Sequence, residues 1–375
     1  MYNLVYFIER FIKFIIKYKY IMTQIEIKNK NKPYIYYENP MKLAIKNNDP
    51  IEEKLHVVIM MSNPCNFKKR IKLTKEFIHR MEHYEENIIL YIVEYIYPGQ
   101  SFQVTDSKNP RHLQIQTNTN PLWHKENALN LGIQNLLPSD WKCVAWIDAD
   151  IEFESSTWAI DTLKILNGTS DIVQLFSYCN DMDELKNTMN IAISFGYQYI
   201  HKKDYETTGK TKEYWHPGYA WACTRKAYEK MGKLYENGIL GSGDHIMALS
   251  FIKNCEIGIN ENYNIEYIND MKNFEKRTKN LRLGYTPGII KHYFHGSKIN
   301  RKYQERWKLL IKHDYNPLKH ITNKNDSPLT NEKESVRYYN DNKIIIDGIM
   351  KRTKETPEEL LKDIMKYFKE RNEDE

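Results

Sequence analysis

Two carboxylates, Asp148 and Asp150, stand one residue apart where the run Cys143-Val144-Ala145-Trp146-Ile147 stops. That run is short, apolar and β-rich, the pattern of a strand covered on both faces. Alternate side chains of an extended chain point to the same side, so both carboxylates can face one cation. Hard divalent cations take oxygen ligands, and Mg²⁺ or Mn²⁺ commonly joins carboxylates to phosphate oxygens. Two aspartates capping a loop are the alternative, and the buried strand before them favours the chemical reading. In open α/β sheets ligands bind outside the carboxyl ends of strands, which is where this pair stands.

Four further groups could complete such a site. His292 and His295, in Ile289-Ile290-Lys291-His292-Tyr293-Phe294-His295-Gly296, end a short strand, and a neutral imidazole suits Mn²⁺ beside carboxylates. Either ring alone could equally be a hydrogen-bonded core histidine. Asp244, in Gly241-Ser242-Gly243-Asp244-His245, opens a helical pattern where the dipole favours an anion. A general base fits there, and so does a plain first-turn carboxylate. The stretch Trp215-His216-Pro217-Gly218-Tyr219-Ala220-Trp221 offers flat rings to a sugar, or fills a core. Lys125, opening a helix after Pro121-Leu122-Trp123-His124, could reach a phosphate.

The elements that must position these residues are legible from Leu55 onward. Leu55 to Met61, Ile88 to Glu94, Leu113 to Gln116, Cys143 to Ile147 and Ile172 to Phe176 read as strands, separated by amphipathic helices. Alternation of this kind predicts an α/β domain with a mostly parallel sheet flanked by helices. Past Asp181 the alternation gives way to longer aromatic segments, an acceptor-side half that decorates the sheet. Thr356-Pro357-Glu358-Glu359 predicts a helix start, with Leu360, Leu361, Ile364 and Phe368 as its apolar face. The expected organisation is an N-terminal extension over 1–53, a catalytic domain over 54–310 and a helical tail over 311–375, with the acidic end Arg371-Asn372-Glu373-Asp374-Glu375 solvated.

Composition narrows the class. The 375 residues carry 55 Lys+Arg against 49 Asp+Glu, a net +6, too mild for a polybasic nucleic-acid binder. Hydrophobic residues make up 41% and charged ones 28%, which excludes disordered and multi-span membrane classes. Five cysteines with no C-x-x-C pair suggest neither a zinc ribbon nor a disulfide framework. Residues 1–21 are apolar but interrupted by Glu9, Arg10, Lys13, Lys17 and Lys19, so a membrane span is rejected. They read as an amphipathic surface helix, giving peripheral membrane contact, or as codons ahead of a start at Met22. With no signal, span or disulfide pattern, the expected location is the cytoplasm.

Taken in order, the D-x-D at a strand end, the glycine-bounded aspartate and the late histidine resemble glycosyltransferases of the GT-A fold. The likeness runs from about Leu55 to Leu310, nearest the family 2 superfamily and more distantly the β-1,4-galactosyltransferases. It implies a Rossmann-like GT-A sheet and transfer from a nucleotide-sugar donor to a glycan or other hydroxyl acceptor, with Mn²⁺ or Mg²⁺ as cofactor. By the same resemblance Asp148, Asp150 and His295 hold the metal, with Asp148 also on the ribose. Lys125 contacts the donor; Trp215, Tyr219 and Trp221 are expected to serve substrate from the chemistry of their rings alone. Asp244 is the catalytic base of an inverting, hexosyltransferase-like reaction.

Two departures stand out. The loop usually carries a Glu-Asp pair, where this chain has Gly243-Asp244-His245. Aspartates that touch the nucleobase are replaced by Glu94 alone, so base selectivity is unreadable. A silent glycan- or nucleotide-sugar-binding module would explain the altered loop. Nucleotidyl transfer is disfavoured, since no Gly-rich phosphate loop follows the first strand.

Overall fold

A computed structural model describes residues 24–25, 34–35, 40–117, 121–201, 215–303, 305–324 and 336–375. The expected N-terminal helix over 1–21 lies outside the described residues. No helix among the described residues is long and apolar enough to cross a membrane.

The strand-helix rhythm begins with β1 (Leu55–Ser62), α1 (Lys68–His83), β2 (Ile88–Ile96), β3 (His112–Gln116) and α2 (Lys125–Leu136). It continues through β4 (Cys143–Ile147), a short β5 (Ile151–Phe153), α3 (Trp158–Leu166) and β6 (Ile172–Gln174). Strands β1, β2 and β3 run parallel to one another, and β4 runs parallel to β1. The continuous apolar runs follow from burial on both faces. Val57 and Ile59 meet Phe77 of α1 and Trp158 of α3 on one side. Val58 and Val93 meet Ala128 and Leu129 of α2 on the other. Fully burying such side chains contributes roughly 1.5–3 kcal/mol each. Helix α2 lies close because Gly132 has no side chain, and a Cβ there would stand 2.6 Å from Val93.

The second half turns back on this frame. It supplies β7 (Tyr178–Met182), β8 (Thr188–Ser194), β9 (Trp215–His216) and β10 (Ala220–Thr224). These are followed by α4 (Gly243–Phe251), α5 (Ile265–Thr278), β11 (Leu283–Tyr285) and β12 (Ile289–His292). The main sheet has nine strands in the order β11-β6-β10-β4-β1-β2-β3, then β13 (Val336–Tyr339) and β14 (Asn342–Ile345). A second sheet has the order β9-β8-β7-β12-β5.

Two pairings decide where the site lies. Strand β10 enters antiparallel between β4 and β6, with Ala220 opposite Ile147. Residues 215–219 therefore arrive at the edge where β4 ends. Strand β12 runs antiparallel to β5 with His292 opposite Ile151, and Tyr293 N–H donates to the Asp150 carbonyl at 2.9 Å. The late histidines are thus brought beside the aspartates.

Residues 311–375 contain the expected helix, α6 (Glu358–Glu370), with Leu360, Leu361, Ile364 and Phe368 buried. It starts one residue later than the sequence suggested: Pro357 takes the cap position, while Thr356 Oγ1 donates to the His320 carbonyl at 2.5 Å. The same segment adds β13 and β14 to the main sheet beside β3. Its acidic end is not solvated throughout, because Arg371 and Glu373 are buried. Asp374 accepts from the backbone N–H groups of Lys68 and Lys69 at 3.0 and 2.8 Å, capping α1, whose own N-cap Phe67 has no such oxygen.

Candidate active site

A cavity of about 1040 Å³ opens at the carboxyl edge of β1 and β4. Small-molecule sites run from roughly 300 to 1,000 Å³, so this one lies at the upper end of that range. Lys125, Asp148, Asp150, Tyr219, Asp244 and His295 all line it.

One wall is built on Asp150. Its Oδ2 lies 2.8 Å from His295 Nε2 and 3.8 Å from His292 Nε2. One ligand atom from each of Asp150, His292 and His295 falls within 4.8 Å of the others. His292 Nδ1 lies 2.7 Å from Asp181 Oδ1, and Lys298 pairs with that same carboxylate. A carboxylate only accepts, so Nδ1 carries the proton and Nε2 presents its lone pair towards Asp150. Burial alone would raise the Asp150 carboxyl, but His295, His292 and Arg301 overcome that and hold it well below the usual carboxylate range. Burial pushes His292 down, keeping it neutral. Behind His295 lies Glu373, held by Arg70 and Arg371.

Asp148 points to the same cavity but turns to the opposite wall, where Lys125 pairs with it. Burial, with Asp150 beside it, raises Asp148 despite that ammonium. Its backbone N–H donates to the Tyr219 carbonyl at 2.8 Å. Tyr219, at φ +77, stacks on His216 with ring centres 4.2 Å apart and approaches His292 at 4.8 Å. Burial pushes His216 down to about 4.

The N-terminus of α4 completes this wall. Ser242, at φ +74, accepts from Arg306 Nη2 at 2.5 Å and Trp307 Nε1 at 2.9 Å, which pin the loop. Asp244 Oδ1 accepts from the His245 N–H at 2.8 Å. Its other oxygen borders Gly218, where a Cβ would stand 3.1 Å from Oδ2 and 3.0 Å from His216.

Three residues singled out in the sequence lie elsewhere. Glu94 is wholly buried, and its carboxylate accepts from the N–H groups of Gln103, Val104 and Thr105 and from Thr105 Oγ1. It ties down a loop and does not line the cavity. Trp215 and Trp221 are core residues: Trp215 packs edge-on against Phe195, and Trp221 packs against Phe251 and donates to the Pro217 carbonyl at 2.8 Å. Tyr219 alone of the three rings faces the cavity.

Other cavity residues carried no local signal. Arg301, Arg70 and Glu373, and Asp181 behind His292, acquire meaning only through partners far along the chain. Glu126, beside Lys125, looks in sequence like an ordinary first-turn acid. The His292-x-x-His295 spacing was the one visible hint that both rings belong together.

No family model matches the chain, and no curated protein does. Among solved structures it is similar to the catalytic domain of Drosophila beta1,4-galactosyltransferase 7 in complex with xylobiose. That match has 9% identity and a TM-score of 0.35, covering 80% of this chain and 94% of the other. It is also similar to the glycosyltransferase GlyE of Streptococcus pneumoniae, at 10% identity and a TM-score of 0.30, covering 70% and 63%.

Proposed function

We propose that this protein is a metal-dependent glycosyltransferase, moving a sugar from a nucleotide-diphosphate donor to a hydroxyl acceptor. The observation that carries the reading is Asp150, His292 and His295 converging in one large cavity with the Lys125–Asp148 pair, at the carboxyl edge of a parallel sheet.

The residues fit a divalent cation. Asp150 Oδ1 is buried with no hydrogen-bond partner, a lone pair left for a positive group. One carboxylate and two imidazole rings are a donor set suited to Mn²⁺. Arg301 Nη2 lies 2.6 Å from His295 Nε2, so a cation that took this nitrogen would displace the guanidinium. A bound cation supplies neutralisation of the charge that develops on a leaving diphosphate. Asp150, His292 and His295 would hold it. Lys125, on the facing wall, adds an ammonium kept charged by Asp148 and Asp244 against the cost of burial.

Asp244 is the group placed to take the acceptor's proton in an inverting transfer. The acceptor oxygen bonds to the anomeric carbon as the bond from that carbon to the phosphate oxygen breaks. The hydroxyl proton passes to the Asp244 carboxylate, and the diphosphate leaves with the bonding pair.

The test is nucleotide release from UDP-, GDP- and other nucleotide sugars, with and without Mn²⁺, for wild type and Asp150→Ala. Metal-dependent release that the variant loses is expected. Substantial release by Asp150→Ala, or donor binding without turnover across a broad acceptor panel, would overturn the reading.

A further inference from the structure

Lys125 and Glu126 are adjacent in the first turn of α2, yet they go to different places. Lys125 reaches Asp148. Glu126, about 100° further round the helix, lines the cavity beneath the Gly241–Asp244 loop and is only 4% exposed. The loop admits it at one point. A Cβ on Gly243 would stand 2.6 Å from both Cδ and Oε1 of Glu126, so the carboxyl occupies the space that any side chain at 243 would need.

An acid in the first turn of a helix is commonly there for the dipole, and such a group is exposed. This one is enclosed, faces the binding cavity, and has its neighbouring ammonium engaged by Asp148. The charged groups that bear on it are Lys125 on its own helix, Asp244 on the loop packed against it and Asp148 across the cavity. Burial pushes the carboxyl up to about 8, with Asp244 and Asp148 adding to the rise and Lys125 opposing it. A protonated carboxyl is a donor as well as an acceptor, and a buried donor needs a partner.

We propose that Glu126 is an acceptor-binding residue, donating a hydrogen bond to a second hydroxyl of the same sugar whose reacting hydroxyl faces Asp244. The inference rests on the glycosyltransferase reading and narrows it: the acceptor carries at least two hydroxyls, and Glu126 recognises the one that does not react.

The experiment measures kcat and KM for methyl glucoside, methyl galactoside and their single-deoxy analogues, with the donor that wild type uses. Glu126→Ala should lower kcat/KM about tenfold, mainly through acceptor KM. Glu126→Gln keeps a neutral donor and should recover most of that loss. One deoxy analogue should be a poor substrate whose kcat/KM Glu126→Ala leaves unchanged. In Glu126→Ala/Gly243→Glu the carboxyl returns from the other side of the same gap, and part of the activity should return with it. If Glu126→Ala does not fold, Gly243→Ala, which crowds the carboxyl, takes its place. Wild-type transfer with equal kcat/KM in Glu126→Ala, or Glu126→Gln as impaired as Glu126→Ala, overturns this inference alone. No transfer by wild type to any of these glycosides overturns it together with the glycoside-acceptor reading.

Discussion

The two walls of the cavity treat charge in opposite ways. On one, each group has a partner of opposite sign: Asp150 faces His295, Asp181 lies between His292 and Lys298, and Glu373 lies between Arg70 and Arg371. Its carboxyls are held below their usual range despite burial, Glu373 and Asp150 alike. On the other, Lys125 is taken up by Asp148, and Glu126, enclosed beside them, is left without a cation of its own and is pushed up to about 8. Burial is common to both walls, so what separates them is compensation. A wall of fixed opposite charges suits a cation and a diphosphate; a wall bearing a neutral carboxyl suits hydroxyls.

The strongest way to break this contrast is to remove the charge centre of the first wall. Asp150→Ala should abolish metal-dependent nucleotide release while leaving the circular dichroism spectrum unchanged, and retained turnover would show that the two walls do not divide the work. Asp181→Asn probes the same wall one step back, since it weakens the carboxylate that fixes the His292 tautomer. It should lower Mn²⁺ affinity by about 10–100-fold, read by titrating activity with the metal, and an unchanged affinity would detach His292 from the site.

A smaller effect separates the walls by pH. Glu126 binds its proton more tightly folded than unfolded, so its contribution is fully present below the ordinary value of 4.5 and is lost as pH rises through about 8. Asp150 and Glu373 have the opposite sign: their stabilisation is present above the ordinary carboxylate range and is lost as pH falls below it. Glu126→Gln should therefore melt at a higher temperature than wild type near pH 9 and lose that advantage towards pH 4. Melting curves that stay parallel across this range would remove the contrast. The smallest effect tests the scaffold alone. Asp374→Ala deletes the cap on α1 and should cost about 1 kcal/mol in denaturant unfolding, with acceptor KM unaffected.

How much of this was visible in the sequence depended on how far each signal had to travel. Strands β1, β2 and β4 and helix α2 were plain because two-sided burial writes itself as a continuous apolar run, and Asp148 and Asp150 stood out at the end of one. The pairing of His292 and His295 with Asp150 needed β12 to lie antiparallel to β5, which no local pattern specifies. Arg371 and Glu373 read as a solvated acidic end because the ion pairs of Glu373 with Arg70 and Arg371 leave no periodicity. Trp215, Tyr219 and Trp221 were indistinguishable as rings, and only the register of β9 and β10 sends Tyr219 to the cavity and the tryptophans to the core. Strand β14 escaped notice because its residues are exposed and polar at one end, Asn342-Lys343, with nothing to bury.

The pairing of Arg70 with Glu373 has a consequence for biosynthesis. These residues are 303 positions apart, and domains begin to organise as the N-terminal part of a chain leaves the ribosome. A nascent chain that has just released α3 already holds the sheet edge carrying Asp148 and Asp150, but Arg70 still waits for its counter-charge. The wall that carries Asp150 is therefore closed only once Glu373 has emerged, and a chain stalled short of that residue would carry the carboxylates without this enclosure.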